Sequence, residues 1–338
     1  MRRGLIAFTL VGGAAVFAGT ALATYASPKV TVAQAGGITT IVAAAASTDD
    51  ATGFVSTYIP AGTTISAAQK PGSTIGTAKA QVKALALGGA ALSLQGPITV
   101  ATPGSVPPTQ QTACIQTETP IATWLLKLSA AGQTINLPAY LIKTVGEEKT
   151  IFGVAKLVFC FAPPDIPVEN GGAAFGAKFV SAQFAVKGVF GPATGGPFYT
   201  AWIPWLAGAG TLDATQYSWT ATQVAPATIA AKAKKSGNGA VVTGLVTQSG
   251  KPVAGARVAI FGSTSRTGLR KVGTVKTGAT GAFSYKAASG AYFRAQTTLP
   301  EAPAPELCAK LKETLINARC LNPIISPALL VSPVAARK

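Results

Sequence analysis

Short runs that alternate apolar and polar residues, each cut off by Gly, Pro or Ser, fill most of this chain, and few stretches are left for a helix of ordinary length. The stretch TGATGAFSYKAASGAYFRA (277–295) shows the pattern: two alternating runs, breaks at Gly278–Gly281 and Ser289-Gly290, and no acidic residue. A period of two places one set of side chains against a core and the other in solvent, so each run reads as a half-buried strand. With Gly at 37, Pro at 23 and only 12% charged residues in 338, the composition suits many turns and short strands better than helix bundles.

The runs fall into two groups. In the first lie 38–43, 53–59, 74–84, 91–100, 121–129, the nearly continuous apolar run 151–161, 175–190 and 199–206. The run 151–161 predicts a strand buried on both faces, and the Pro163-Pro164 and Pro167 that follow end it. Residues 99–112, rich in Pro, Thr and Gln, read as an exposed loop. The second group comprises 241–247, 256–261, 271–277, 282–286 and 291–297, with Ser249-Gly250-Lys251-Pro252 and Gly278–Gly281 as turns. Between the groups an Ala/Lys-rich stretch ending in Ser236-Gly237-Asn238-Gly239 reads as a flexible linker. Leu307, Leu311 and Leu315 share one face of a helix expected over 307–318, and 324–334 is expected to return as an edge strand. The fold class is all-β: two antiparallel β-sandwich domains, at 27–226 and 240–338, joined by a linker at 227–239.

The N-terminus bears on compartment. Arg2-Arg3, an apolar run over 4–18 and small residues at Ala21-Leu22-Ala23 and Thr24-Tyr25-Ala26 make the pattern of a secretory signal peptide, assigned to residues 1–26 with cleavage expected after Ala23 or Ala26. The twin arginine leaves Sec and twin-arginine export both open. The later apolar tail, 321–338, is interrupted by Pro323, Pro327 and Pro333, so no transmembrane anchor is expected after signal cleavage. The protein is therefore expected to be secreted, and held at the cell surface, if at all, without a covalent anchor. Four cysteines in an exported chain pair. Spacing favours Cys114–Cys160 and Cys308–Cys320, although three connectivities are open.

Charge is distributed very unevenly. Residues 27–230 carry ten Lys/Arg and eight Asp/Glu, a net of +2; residues 231–338 carry sixteen and three, a net of +13. Between Asp213 and Glu301 eleven cations occur with no acid. Such a field draws polyanions and weakens with salt. Lys232, Lys234, Lys235, Arg266, Arg270 and Lys271 are the candidate contacts for an anionic cell-wall polymer or acidic polysaccharide. No helix-turn-helix, zinc-finger or RNA-binding signature accompanies the charge, so sequence-specific nucleic-acid binding is not expected.

Chemistry is scarce. The chain has no His, which removes the usual general base, the commonest metal ligand and the partner a nucleophilic thiol would need. The neighbouring carboxylates Asp49-Asp50 and Glu147-Glu148 would point to opposite faces of a strand and make no acid–base pair; Asp165 and Glu169 fall far short of a Ca²⁺ ligand set. No catalytic residue, metal or cofactor is assigned. An aromatic group at Tyr199, Trp202, Trp205 and Trp219 has two readings, core packing or a platform for sugar rings.

GLVTQSGKPVAGARVAIFG (244–262), then VGTVKTGATGAFSYKAASGAYFRA (272–295), resembles the carboxypeptidase-regulatory-like and bacterial Ig-like sandwiches of exported proteins, through Gly244, Gly250 to Ala256, Thr277, Gly281, Phe283 and Tyr292 to Ala295. The resemblance covers about 60 residues and implies an Ig-like or transthyretin-like sandwich that acts as a spacer, adhesive or accessory module. The 27–226 region is similar to secreted proteins of high-GC Gram-positive bacteria. Together these features lead to the expectation of a non-catalytic, disulfide-bridged, secreted or surface protein that attaches to envelope or matrix polyanions through its basic C-terminal domain. The alternative is a carbohydrate-recognition module built on the aromatic group.

Overall fold

In the computed structural model the described residues are 25–130, 132–193, 195–315 and 318–338. The expected leader therefore lies almost wholly outside them. Twenty-two strands carry the fold and helices are few and short, so the all-β class holds.

Eleven strands, all paired antiparallel, build most of one large sheet: β1 (Lys29–Ala35), β2 (Ile38–Ala44), β3 (Thr52–Ile59), β4 (Thr74–Ala84), β5 (Ala90–Val100), β6 (Pro120–Ala130), β7 (Gln133–Lys143), β8 (Ala155–Cys160), β9 (Ala177–Lys187), β10 (Phe198–Pro204) and β11 (Ser218–Gln223). Their spatial order is β1-β2-β9-β4-β5-β6-β7-β8-β3-β10-β11. The sheet curls until its ends meet. Thr222 Oγ1 donates to the Val30 carbonyl at 2.6 Å, the Val32 amide donates to Ser326 Oγ at 2.8 Å, and Asn322 Nδ2 donates to the Pro28 carbonyl at 2.9 Å. One continuous sheet, its seam closed by side chains, thus surrounds the core of this region.

Alternation along each strand sorts residues between the inside and outside of this curl. Inside lie Val32, Ile41, Ile98, Trp124, Leu141, Leu157, Phe184 and Trp202. Several strands are also apolar outside, where short helices cover them. Helix α1 (Pro108–Ile115) places Ile115 against Tyr140, Ile142 and Val158 and is fastened by Cys114–Cys160. Helix α2 (Gly146–Phe152) places Phe152 against Trp219, with ring centroids 4.8 Å apart and planes 10° from parallel. This double cover explains the near-continuous apolarity of 151–161, broken only by Lys156, although its first two residues belong to α2.

Beyond β11 come β12 (Ala227–Ser236), β13 (Gly239–Gln248), β14 (Lys251–Pro252), β15 (Arg257–Ser263), β16 (Arg270–Lys276), β17 (Ala282–Ala287), β18 (Tyr292–Leu299), β19 (Ala302–Pro303), β20 (Ile324–Ile325), β21 (Ala328–Val331) and β22 (Ala335–Ala336). Strands β12, β13, β14 and β17 form one sheet; β16, β15, β18, β21 and β22 form another. Their inner residues Ile229, Val242, Val246, Val258, Ile260, Phe283 and Phe293 share one core.

Four expectations need correction. Residues 227–239 are not a linker: Ala227–Ser236 pairs residue for residue with β13 through Ser236↔Gly239, because Ile229 and Ala233 are apolar enough to join the core. Residues 302–325 do not stay with the second group of strands. β19 and β20 complete the thirteen-stranded large sheet, β20 parallel to β11, and the 307–318 helix shortens to α3 (Ala309–Thr314), whose Leu311 packs with Tyr58 and Trp219. Residues 324–334 are consequently divided between two sheets rather than forming one edge strand. Finally Tyr25 and Ala26, assigned to the leader, are built into the fold. Tyr25 is fully buried against Trp202, bonds its hydroxyl to Thr52, and is followed by the Ala26 and Ser27 amides on the Asp49 carboxylate at 3.1 and 3.0 Å.

Candidate polyanion-binding faces

The outer surface of the sheet β16-β15-β18-β21 carries a group of cations. Val258 and Ile260 point inward from β15, so Arg257, Ala259 and Phe261 point outward; Phe293 and Ala295 likewise turn Arg294 and Gln296 outward. Registration then sets rows across the sheet. Arg257 lies directly opposite Lys276, and Lys271 lies opposite Phe261, which lies opposite Arg294. Neighbouring strands are about 4.8 Å apart, so each row is a line of closely spaced groups. Like charges directly opposed across a ladder destabilise it. Arg257 and Lys276, both exposed, are such a pair. In the loop after β15, Arg266 lies over the Tyr292 ring, 5.9 Å from its centroid. Arg294 Nε is buried without a hydrogen-bond partner among the described residues.

A second, smaller group lies on the other sheet. Lys234 faces Val241, which faces Lys286 on β17; Lys232 occupies the next row. Lys235 has the opposite parity at the end of its strand, where its amide donates to the Lys338 carbonyl at 2.8 Å.

The six sequence-predicted cations thus divide. Lys271 and Arg266 belong to the β16-β15-β18 face with Arg270 at its edge, whereas Lys232, Lys234 and Lys235 sit on β12 in the other sheet. Sequence reading missed Arg257, Lys276, Arg294 and Lys286. Alternation about Val258-Ile260 and Phe293-Ala295 marks two of them as outward-facing, but which strands adjoin is not in the local pattern. None of the three ion pairs among the described residues uses a cation from beyond residue 230.

The aromatic group is core, not a platform. Tyr199, Trp202 and Trp219 are buried, and Trp202 Nε1 is occupied by Thr220 Oγ1 at 3.1 Å. Trp205 is half-buried, its Nε1 donating to the Phe161 carbonyl at 3.1 Å. Two of the carboxylates hold the fold together. Asp49 holds the N-terminal amides, while Glu148 accepts from Tyr58 and from Lys156, both at 2.9 Å. Burial pushes Lys156 down, but its bonds to Glu118 and Glu148 outweigh that and hold its ammonium above the ordinary value. Among the described residues no three His, Cys, Asp or Glu gather as a metal site. No protein-family model, curated protein or solved structure matches the chain.

Proposed function

We propose that this is an exported, non-catalytic protein that attaches to an anionic cell-wall polymer or acidic polysaccharide through its C-terminal basic faces. The observation that carries the reading is the array of Arg257, Lys271, Lys276 and Arg294 on one sheet surface, with no acid in sequence between Asp213 and Glu301. A bound polyanion relieves the Arg257–Lys276 repulsion, and Phe261 and Tyr292 add apolar contact between the charges. Two disulfides, and the lack among the described residues of any helix long and apolar enough to cross a membrane, are compatible with a place outside the cell. The likeness of residues 244–295 to regulatory-like and Ig-like sandwiches of exported proteins supports an accessory or adhesive role.

Binding of the purified protein to immobilised polygalacturonate tests this. It should fall steeply between about 0.01 and 1 M salt, as the screening length contracts from roughly 30 to 3 Å. The Arg257→Gln/Lys271→Gln/Lys276→Gln variant should lose most of the low-salt binding at an unchanged melting temperature. Salt-independent binding, or full retention by the triple variant, defeats the proposal.

A further inference from the structure

The large sheet encloses an apolar cavity of about 310 Å³ that opens through its wall. Leu126, Leu137, Phe159, Phe161, Phe179 and Phe184 are among its apolar lining. The wall is incomplete because β7 pairs with β8 only over Ala139–Lys143, so the preceding half of β7, through Pro138, has no strand beside it on that side among the described residues. Gly172, Ala173, Ala174 and Gln110 border the cavity as well. Small residues there leave room where a larger side chain would close the passage.

Two further observations point to a ligand. Phe175, next to Ala174, is a 44%-exposed aromatic held at φ 56°, a backbone region that non-glycine residues adopt at a cost and that collects at functional sites. Exposed Leu85 and Leu87 form a short helical turn packed against the turn that contains Phe175, giving an apolar patch beside the cavity. No acid lines the cavity, and its one basic residue, Lys79, lies exposed between the inward-facing Ala78 and Ala80, so that side chain points away from the cavity.

We infer that the cavity binds the saturated hydrocarbon chain of a medium-chain, single-chain amphiphile, whose head group stays in solvent at the opening. An apolar void of roughly 150 Å³ already takes up a benzene-sized molecule, so this one accommodates about a dozen carbons. Ligand pockets are apolar with a few placed polar groups, as here. This site is separate from the basic sheet faces and does not depend on them.

Native mass spectrometry and calorimetry with dodecanoate, on the purified protein after delipidation, test the inference. The expected result is a 1:1 complex. Ala182→Phe, which fills the cavity from β9, should weaken it at least tenfold, as should Ala174→Trp at the rim, a surface change that spares the core. Dodecanoate and dodecanol should bind with comparable affinity, and Arg257→Gln/Lys276→Gln should change neither. Absence of a 1:1 complex, or full binding by both Ala182→Phe and Ala174→Trp, overturns the inference. Binding of dodecanoate with none of dodecanol overturns the placement of the head group in solvent.

Discussion

Tyr25 fastens the start of the described chain into the large sheet, and removing it should be among the costliest single changes available. Its side chain is fully buried, its ring lies 5.9 Å from that of Trp202, and its hydroxyl bonds Thr52, itself 2% exposed. Large aromatics cut to Ala in a core cost about 3–5 kcal/mol, so a value near 4 kcal/mol is expected for Tyr25→Ala. For a domain of this size each kcal/mol moves the melting temperature by about 2–4 °C, giving a fall of roughly 8–16 °C. Tyr25→Phe keeps the ring but strands the Thr52 hydroxyl, at about 1–2 kcal/mol; adding Thr52→Val should recover part of that loss. Differential scanning calorimetry of the four proteins measures all of this. A Tyr25→Ala melting temperature within about 2 °C of the parent would refute the placement of this side chain in the core. The same packing bears on the proposed export: cleavage after Ala26 would discard Tyr25, so a leader removed as proposed should leave a chain beginning at Thr24, which intact-mass measurement reads directly.

Two other outcomes follow from the architecture. Replacing Cys114 and Cys160 by Ala should cost about 4 kcal/mol and the Cys308/Cys320 pair about 3 kcal/mol, since the loops closed span 46 and 12 residues; chemical denaturation ranks them, and the reverse order would contradict the chain-entropy account. Five of the seven tyrosines, Tyr25, Tyr58, Tyr140, Tyr199 and Tyr217, have hydroxyls pushed above the ordinary value, in each case chiefly by burial. Because the folded state disfavours their ionisation, their contribution is intact below about pH 10 and lost as pH rises past it. Absorbance at 295 nm should show part of the phenolate signal appearing only with alkaline unfolding.

How much of this could be read from the sequence varied with the range of the interaction. Alternation placed β2, β3, β4, β5 and β6 within a residue or two, because each strand's pattern is local. It missed β12, where lysines at 232, 234 and 235 and a following Ser-Gly-Asn-Gly look like a solvated tether. Only pairing with β13 and burial of Ile229 and Ala233 make that segment a strand. The cations showed the same limit. Their abundance was plain, but the opposition of Arg257 to Lys276 depends on a register that the eighteen intervening residues do not announce. The cavity was invisible in sequence, since Leu126, Phe159 and Phe179 read as ordinary core, and the gap beside β7 arises from where pairing with β8 stops.

The chain crosses between the large sheet and the two smaller ones three times, after Gln223, after Leu299 and after Ile325. A protease that nicks one crossing leaves the two parts still covalently joined through the others, and only three cuts set them apart. Mechanical load between the two smaller sheets and the large one is accordingly shared by parallel lengths of backbone rather than concentrated on one.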